Sequence, residues 1–199
     1  MVIALFKPYG VVSQFTPEGG HESLASLGAF PKDVYPIGRL DWDSEGLLIL
    51  TNDNALKHKL STPSFAHQKT YWVQVEGVPD ESALDALSDG VVIEGAKTKP
   101  ARAVLLVVPP ELPLRPVPIR FRKNIPTSWL ELTITEGRNR QVRKMTAAVG
   151  YPTLRLVRVR IGALGLGELQ PGEWREVAAE EEQKLTETGS RRPLTGSSK

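Results

Sequence analysis

The sequence predicts an α+β protein with a mixed, mostly antiparallel central sheet flanked by helices. Three observations lead there. Apolar and alternating runs of strand length recur along the chain, with short helical segments among them. Strands and helices mingle without the regular βαβ rhythm of a doubly wound parallel sheet. Turn signals such as Lys7-Pro8-Tyr9-Gly10 and Pro171-Gly172 separate neighbouring runs, several of which read as antiparallel pairs.

Val2 to Phe6 is a continuous apolar run that reads as a buried strand, and Val11 to Phe15 as its returning partner. Thr16 to Gly20 is a loop, and Ser23 to Leu27 a short helix. Val34 to Leu40 and Leu47 to Thr51 are strands joined by a tight polar connection, Asp41 to Gly46. Asn52 or Asp53 caps a helix running to about Leu60. Tyr71 to Glu76 alternates as a strand. Asp80 caps a helix to about Leu87 that gathers Ala83, Leu84 and Leu87 on one face and ends at Asp89-Gly90. Val91 to Ile93 and Ala101 to Val108 follow as strands. Residues 109–127, rich in proline and arginine without a period, read as a long surface loop, a feature often functional in a compact domain. Trp129 to Thr135 is a strand, and Asn139 to Val149 a helix closed by Gly150. From Leu154 to Ile161, Val157, Val159 and Ile161 face one way and Arg158 and Arg160 the other. Pro171-Gly172 turns the chain into a strand over Glu173 to Val177. A last helix precedes a Ser/Gly/Thr-rich tail, disordered from about Thr188 to Lys199.

At 199 residues the chain suits one domain, or two small lobes sharing a core. No apolar run is long enough to cross a bilayer, and no signal-peptide pattern opens the chain. A cytoplasmic protein with no membrane partner is expected. The absence of cysteine excludes disulfides, thiolate metal sites, iron–sulfur clusters and a cysteine nucleophile. His21, His58 and His67 are scattered and read as surface residues rather than ligands, so neither metal nor cofactor is expected. The net charge is only +2, yet between Leu112 and Arg160 eleven basic residues meet just two acidic ones, Glu131 and Glu136. Arginine concentrated in this way is the footprint of a polyanion partner, although a solvated basic face has the same composition.

Three stretches hold side chains able to do chemistry. Gly38 to Asp53 carries Asp41, Asp43 and Glu45 in a tight turn between strands. A carboxylate there stands on rigid support at a sheet edge. Asp41, Asp43 and Ser44 equally suit an ordinary turn, and paired carboxylates of a glycosidase are a further alternative. In Glu136 to Met145, Val142 and Met145 belong to a core stripe, while Arg140, Arg143 and Lys144 turn away from it. With Arg138 these make four basic residues near free helix donors, an arrangement suited to phosphate. Lys69 to Gly77 carries Tyr71 in phase with Val73 and Val75, which alone reads as a packed strand tyrosine.

Together, Gly38-Arg39-Leu40-Asp41-x-Asp43-Ser44-Glu45-Gly46-Leu47-Leu48, Lys69-x-Tyr71 and Glu136-Gly137-Arg138-x-x-Gln141-Val142-Arg143-Lys144-Met145 resemble the RsuA-type branch of the pseudouridine synthases. Lys7-Pro8, Ile125-Pro126-Thr127-Ser128-Trp129 and Gly172-Glu173-Trp174-Arg175 match it too, so the resemblance covers about residues 3–177. One feature departs from most of the branch: Lys7-Pro8 comes too early for an S4-like RNA-binding domain to precede it. A subgroup acting on the large ribosomal subunit shares this trait, which moves RNA binding onto the catalytic domain.

The resemblance implies a catalytic domain over residues 1–177, with a basic cleft between lobes at roughly 1–66 and 67–177, then a C-terminal helix and tail over 178–199. It implies site-specific conversion of uridine to pseudouridine in 23S ribosomal RNA by a monomer without cofactor, acting on a base flipped out of its stack. Asp41 is then the essential carboxylate, attacking C1′ or promoting proton loss from C2′. Arg143 is its ion-pair partner, and Tyr71 stacks on the target base. Arg39 fills the vacated space. Lys69, Arg138, Arg140 and Lys144 hold RNA; the charge of the long loop, more than the resemblance, makes Arg120, Arg122 and Lys123 an expected clamp on it. A different ribosomal or transfer RNA uridine is the nearest alternative. A non-catalytic RNA-binding assembly factor would be expected to have lost the Asp41, Tyr71 and Arg143 set, which is intact here.

Overall fold

A computed structural model of the chain describes residues 1–61, 67–119, 122 and 125–187. The expected clamp residues Arg120 and Lys123, and the tail from Thr188 to Lys199, lie outside the described residues. In chain order the strands are β1 (Val2–Lys7), β2 (Val11–Val12), β3 (Glu22–Ser23), β4 (Tyr35–Ile37), β5 (Glu45–Thr51), β6 (Lys69–Glu76), β7 (Val92–Ile93), β8 (Ala96–Lys97), β9 (Arg102–Leu106), β10 (Thr127–Ile134), β11 (Thr153–Ile161), β12 (Leu164–Gly165) and β13 (Trp174–Glu176). The helices are α1 (Asn54–Ser61), α2 (Glu81–Asp89), α3 (Gln141–Ala148) and α4 (Ala179–Glu187), with a 3-10 turn at Leu24–Leu27.

Nine strands form one mixed sheet along the path β13-β1-β5-β11-β6-β10-β9, with β4 on β5 and β12 on β11. Its pairings are antiparallel except for a short parallel seam, where Val157 and Arg158 of β11 lie beside Glu45 and Gly46 of β5. Further along β5, the edge used by β11 is taken over by β4, with Ile37 opposite Ile49. β5 therefore sits at a fork between β4 and β11, and residues 38–44 lead from the end of β4 to the start of β5.

β1 and β5 are buried along their whole length, which is why they read as unbroken apolar runs. On one face Ile3, Leu5, Leu48 and Leu50 pack against Leu24 and Val34. On the other, Val2, Ala4, Phe6, Leu47 and Ile49 meet Leu56 and Leu60 of α1 and Leu185 of α4. β6 alternates: Tyr71, Val73 and Val75 are buried with Leu87 of α2 and Val142 and Met145 of α3. Each fully buried aliphatic side chain in these layers stabilises the fold by about 1.5–3 kcal/mol.

The helix caps follow the sequence. Asp53 Oδ1 accepts from Ala55 N and Leu56 N at 2.8 and 3.1 Å, and Asp80 Oδ1 accepts from Ala83 N at 2.8 Å. Three readings need correction. The strand expected at Val11 to Phe15 shrinks to β2, which pairs in parallel with β3; both edges of β1 are already taken by β5 and β13. The alternation expected in β11 is broken by register shifts between Thr153 and Arg155 and between Arg158 and Arg160, and these bury Arg155 and Arg158. Residues 92–97 form a hairpin, β7–β8, whose turn residues Glu94 and Gly95 have φ of 50° and 79°.

Candidate active site

Asp41 opens a four-residue turn at the fork, closed by Ser44 N donating to Asp41 O at 3.0 Å. Neighbouring main chain pins it on both sides. Gly10 N donates to Trp42 O at 2.8 Å. Ser13 Oγ donates to Leu40 O at 2.7 Å and accepts from Leu40 N at 3.0 Å. Gly46, just beyond, has φ of 103°, and a Cβ there would collide with the main chain of Arg158. The parallel seam thus depends on a residue without a side chain.

Strand register lines up the rest of the site. Lys7 of β1 lies opposite Gly46 of β5, Gly46 beside Arg158 of β11, and Arg158 opposite Tyr71 of β6. With strands ~4.8 Å apart, Tyr71 comes within ~10 Å of the start of β5, although the two are distant in sequence. A cleft of about 570 Å³ opens over this row, lined by Asp41 and Tyr71 together with Arg39, Lys69, Arg138 and Arg140. A larger hollow, about 830 Å³, lies against Thr70 and Trp72 on the other face of β6 and holds neither Asp41 nor Tyr71.

The charges around Asp41 are arranged differently from expectation. Arg140, not Arg143, pairs with Asp41, its Nη1 lying 3.4 Å from Oδ2. Arg140 also forms a bidentate pair with Asp43 at 3.1 and 2.8 Å. Arg143 Nη2 donates to Asp43 O at 2.7 Å and lies 3.4 Å from Asp43 Oδ2. The physical reason is where α3 starts. Arg140 caps it in the left-handed conformation, φ 50°; Arg143, one turn in, is largely buried and meets Asp43 instead. Burial works against an ionised Asp43, but the hydrogen bonds from Arg140 and the charge of Arg143 hold its carboxyl below the usual range.

Other polar residues near the site were given no role from sequence. Lys7 is fully buried, and its Nζ donates to Pro8 O and Val11 O at 2.8 and 2.6 Å. Burial pulls its pKa down to about 7, against the attraction of Glu45, Asp43 and Asp41. Arg155 makes a buried bidentate pair with Glu45 at 2.9 and 2.7 Å across the seam. Arg158 Nε donates to Leu47 O at 2.7 Å, and Arg158 lines the cleft. A lysine ending an apolar strand, and arginines inside a strand, were the available signals. His67, expected at the surface, is buried and lines the cleft, two residues before the start of β6.

The remaining cations are spread unevenly. Arg39 is exposed, with a loose 3.7 Å contact to Glu18. Lys69 Nζ donates to His67 O at 3.1 Å, and burial together with Arg158 lowers its pKa. Arg138 donates to Ile93 O and Ala96 O of the β7–β8 hairpin at 2.8 and 3.2 Å. Lys144 pairs with Glu94 at 2.6 Å, and Arg122 with Glu76 at 3.3 Å. Neither Lys144 nor Arg122 lines the cleft that holds Asp41.

The chain is similar to known proteins over most of its length. Residues 1–148 match the family described as RNA pseudouridylate synthase. Over 177 residues the chain is 56% identical to ribosomal large subunit pseudouridine synthase E of Xanthomonas campestris pv. campestris, spanning 88% of this chain and 94% of the relative. It is 38% identical over 182 residues to ribosomal large subunit pseudouridine synthase B of Bacillus subtilis, covering 91% of this chain and 69% of the relative. A crystal structure of a pseudouridylate synthase superposes with a TM-score of 0.76 at 30% identity, covering 92% of this chain and 73% of that one.

Proposed function

This chain belongs to the RNA pseudouridylate synthase family, and we propose that it converts a uridine of large-subunit ribosomal RNA to pseudouridine with Asp41 as the reacting carboxylate. The observation that carries the assignment is the cleft. Asp41 from the fork and Tyr71 from β6 line one hollow, with Arg140 against the carboxylate. The reaction breaks the N1–C1′ bond, turns uracil in place and forms the C5–C1′ bond; C5 gives up its proton to solvent and N1 takes one up. It needs no oxidant, reductant or phosphoryl donor.

Asp41 acts on the ribose, by attack at C1′ or by promoting proton loss from C2′. Both routes need its carboxylate, and Arg140 Nη1 stands 3.4 Å from Oδ2 as a countercharge. Tyr71 stacks on the flipped uracil. Arg143 acts through Asp43, holding the turn that presents Asp41. Arg39, Lys69, Arg138 and Arg140 meet the RNA at the cleft, with Arg39 entering the space the base leaves. Lys144 and Arg122 are outer contacts that must first leave Glu94 and Glu76. The lobes, roughly 1–66 and 67–177, meet at the β5–β11 seam, with β13 returning to pair with β1. A ribosomal RNA substrate makes the cytoplasm the site of action, and the chain acts there as a monomer.

Asp41→Asn tests the assignment, being nearly isosteric. On RNA carrying tritium at uridine C5, the variant should release none while keeping its fold and RNA affinity. Turnover by the variant at a rate near wild type would remove Asp41 from this role.

A further inference from the structure

The turn that carries Asp41 holds a second carboxylate, and the two share the arginines unequally. Asp43 takes both terminal nitrogens of Arg140, at 3.1 and 2.8 Å, and Arg143 on its carbonyl oxygen and on Oδ2. Asp41 receives one nitrogen of Arg140, on Oδ2 at 3.4 Å, and among the described residues its Oδ1 makes no hydrogen bond or ion pair. The Asp43 side chain is 17% exposed and that of Asp41 36%. The more enclosed carboxylate is therefore the better neutralised, and the more open one faces the cleft.

We infer that Asp43 is a positioning residue for the isomerisation: it holds Arg140 and Arg143 off Asp41, leaving one Asp41 oxygen free toward the cleft within their positive field. The inference rests on Asp41 being the reacting carboxylate. An arginine paired in bidentate fashion with Asp41 would occupy both oxygens. Attack at C1′ or proton removal at C2′ would then first have to break that pair. An Asp41 without any cation nearby would instead meet the substrate with no countercharge beside it. Asp43 avoids both outcomes by taking the bidentate geometry itself. Its grip on Arg140 resists competition because Arg143 approaches from the buried side of the same turn. The other charges facing this turn are Lys7 of β1, Glu45 of β5 with its partner Arg155 of β11, and Arg115 of the long loop. Asp43 is the group among these that contacts both arginines.

The test uses the full-length protein, a large-subunit ribosomal RNA fragment tritiated at uridine C5, and single-turnover rates. Asp43→Asn frees Arg140 to close on both oxygens of Asp41. The rate should fall about 100-fold while the RNA dissociation constant stays within about threefold of wild type. Adding Arg140→Met removes the capping group, so the double variant should be about tenfold faster than Asp43→Asn alone. Arg140→Lys keeps the charge but cannot span Asp43 in bidentate fashion. It should slow the single-turnover step about tenfold at saturating RNA, and it decides the matter should Asp43→Asn not fold. Asp41→Asn runs beside them. If that variant turns over, the assignment of Asp41 fails whatever Asp43 does. If it is dead, a wild-type rate in Asp43→Asn or Arg140→Lys, or a double variant no faster than Asp43→Asn, overturns the positioning role.

Discussion

Lys7 Nζ is enclosed at the end of β1, and it donates to the main-chain carbonyls of Pro8 and Val11. Its ordinary pKa of 10.5 falls to about 7 through burial. Between those values the unfolded chain holds a proton that the folded chain has shed, so this residue's contribution makes stability rise with pH; below pH 7 the cost of burying the ammonium is fully present. Lys7→Met removes the titration. Urea unfolding at about pH 6 and about pH 9 should show wild type gaining on the variant at the higher pH, and a constant difference would contradict the buried charge. Arg143→Met removes a hydrogen bond between a charged group and the Asp43 carbonyl, and should cost about 1.5–3 kcal/mol along with a slower reaction. Loss of activity without loss of stability would return Arg143 to direct contact with Asp41 or the substrate. Asp41 and Tyr71 were legible because they sit in long, ordered motifs. Lys7 and Arg158 were not, because a residue's burial at the end of a strand or at a bulge is set by neighbours far away in the chain.

At the scale of elements, the seam between β5 and β11 carries the site, and it tolerates little change. Gly46→Ala places a Cβ against the Arg158 main chain at a φ of 103°. It should destabilise the protein by more than about 1–3 kcal/mol, strain and collision together, and disturb the cleft. A melting temperature equal to wild type would mean that the strands part without cost. The Glu45–Arg155 pair spans the same seam, with side chains 3% and 8% exposed. Arg155→Met leaves a buried carboxylate alone and should cost about 3–5 kcal/mol, whereas adding Glu45→Gln should recover much of that loss. Strictly additive losses would show that the two do not act as a pair. The strands themselves were readable from apolar runs and alternation, and the helices from Asp53 and Asp80. The shifts in β11 were not, since a bulge is a property of two paired strands and one strand's sequence does not reveal its partner's register.

At the scale of the molecule, the basic segment contributes less free charge to the cleft than its composition implied. Lys144 and Arg122 already have carboxylate partners, while Arg39 is exposed and only loosely held. Arg39→Gln should therefore flatten the dependence of log K on log salt by roughly one unit or slightly less, and Lys144→Gln should change it little. Equal slopes for the two variants would mean that Lys144 exchanges Glu94 for phosphate. The α+β class, the mixed sheet, most strands and the family to which the Asp41 motif points followed from the order of residues, because apolar period, caps and a long contiguous motif are local properties. The pairing of Arg140 with Asp41, the retreat of Arg143 to Asp43, the burial of Lys7 and His67, and the row from Lys7 through Gly46 and Arg158 to Tyr71 are products of strand order and register. Those are long-range quantities: they arise when segments a hundred residues apart compete for the same sheet edges, and no local pattern encodes which of them prevails.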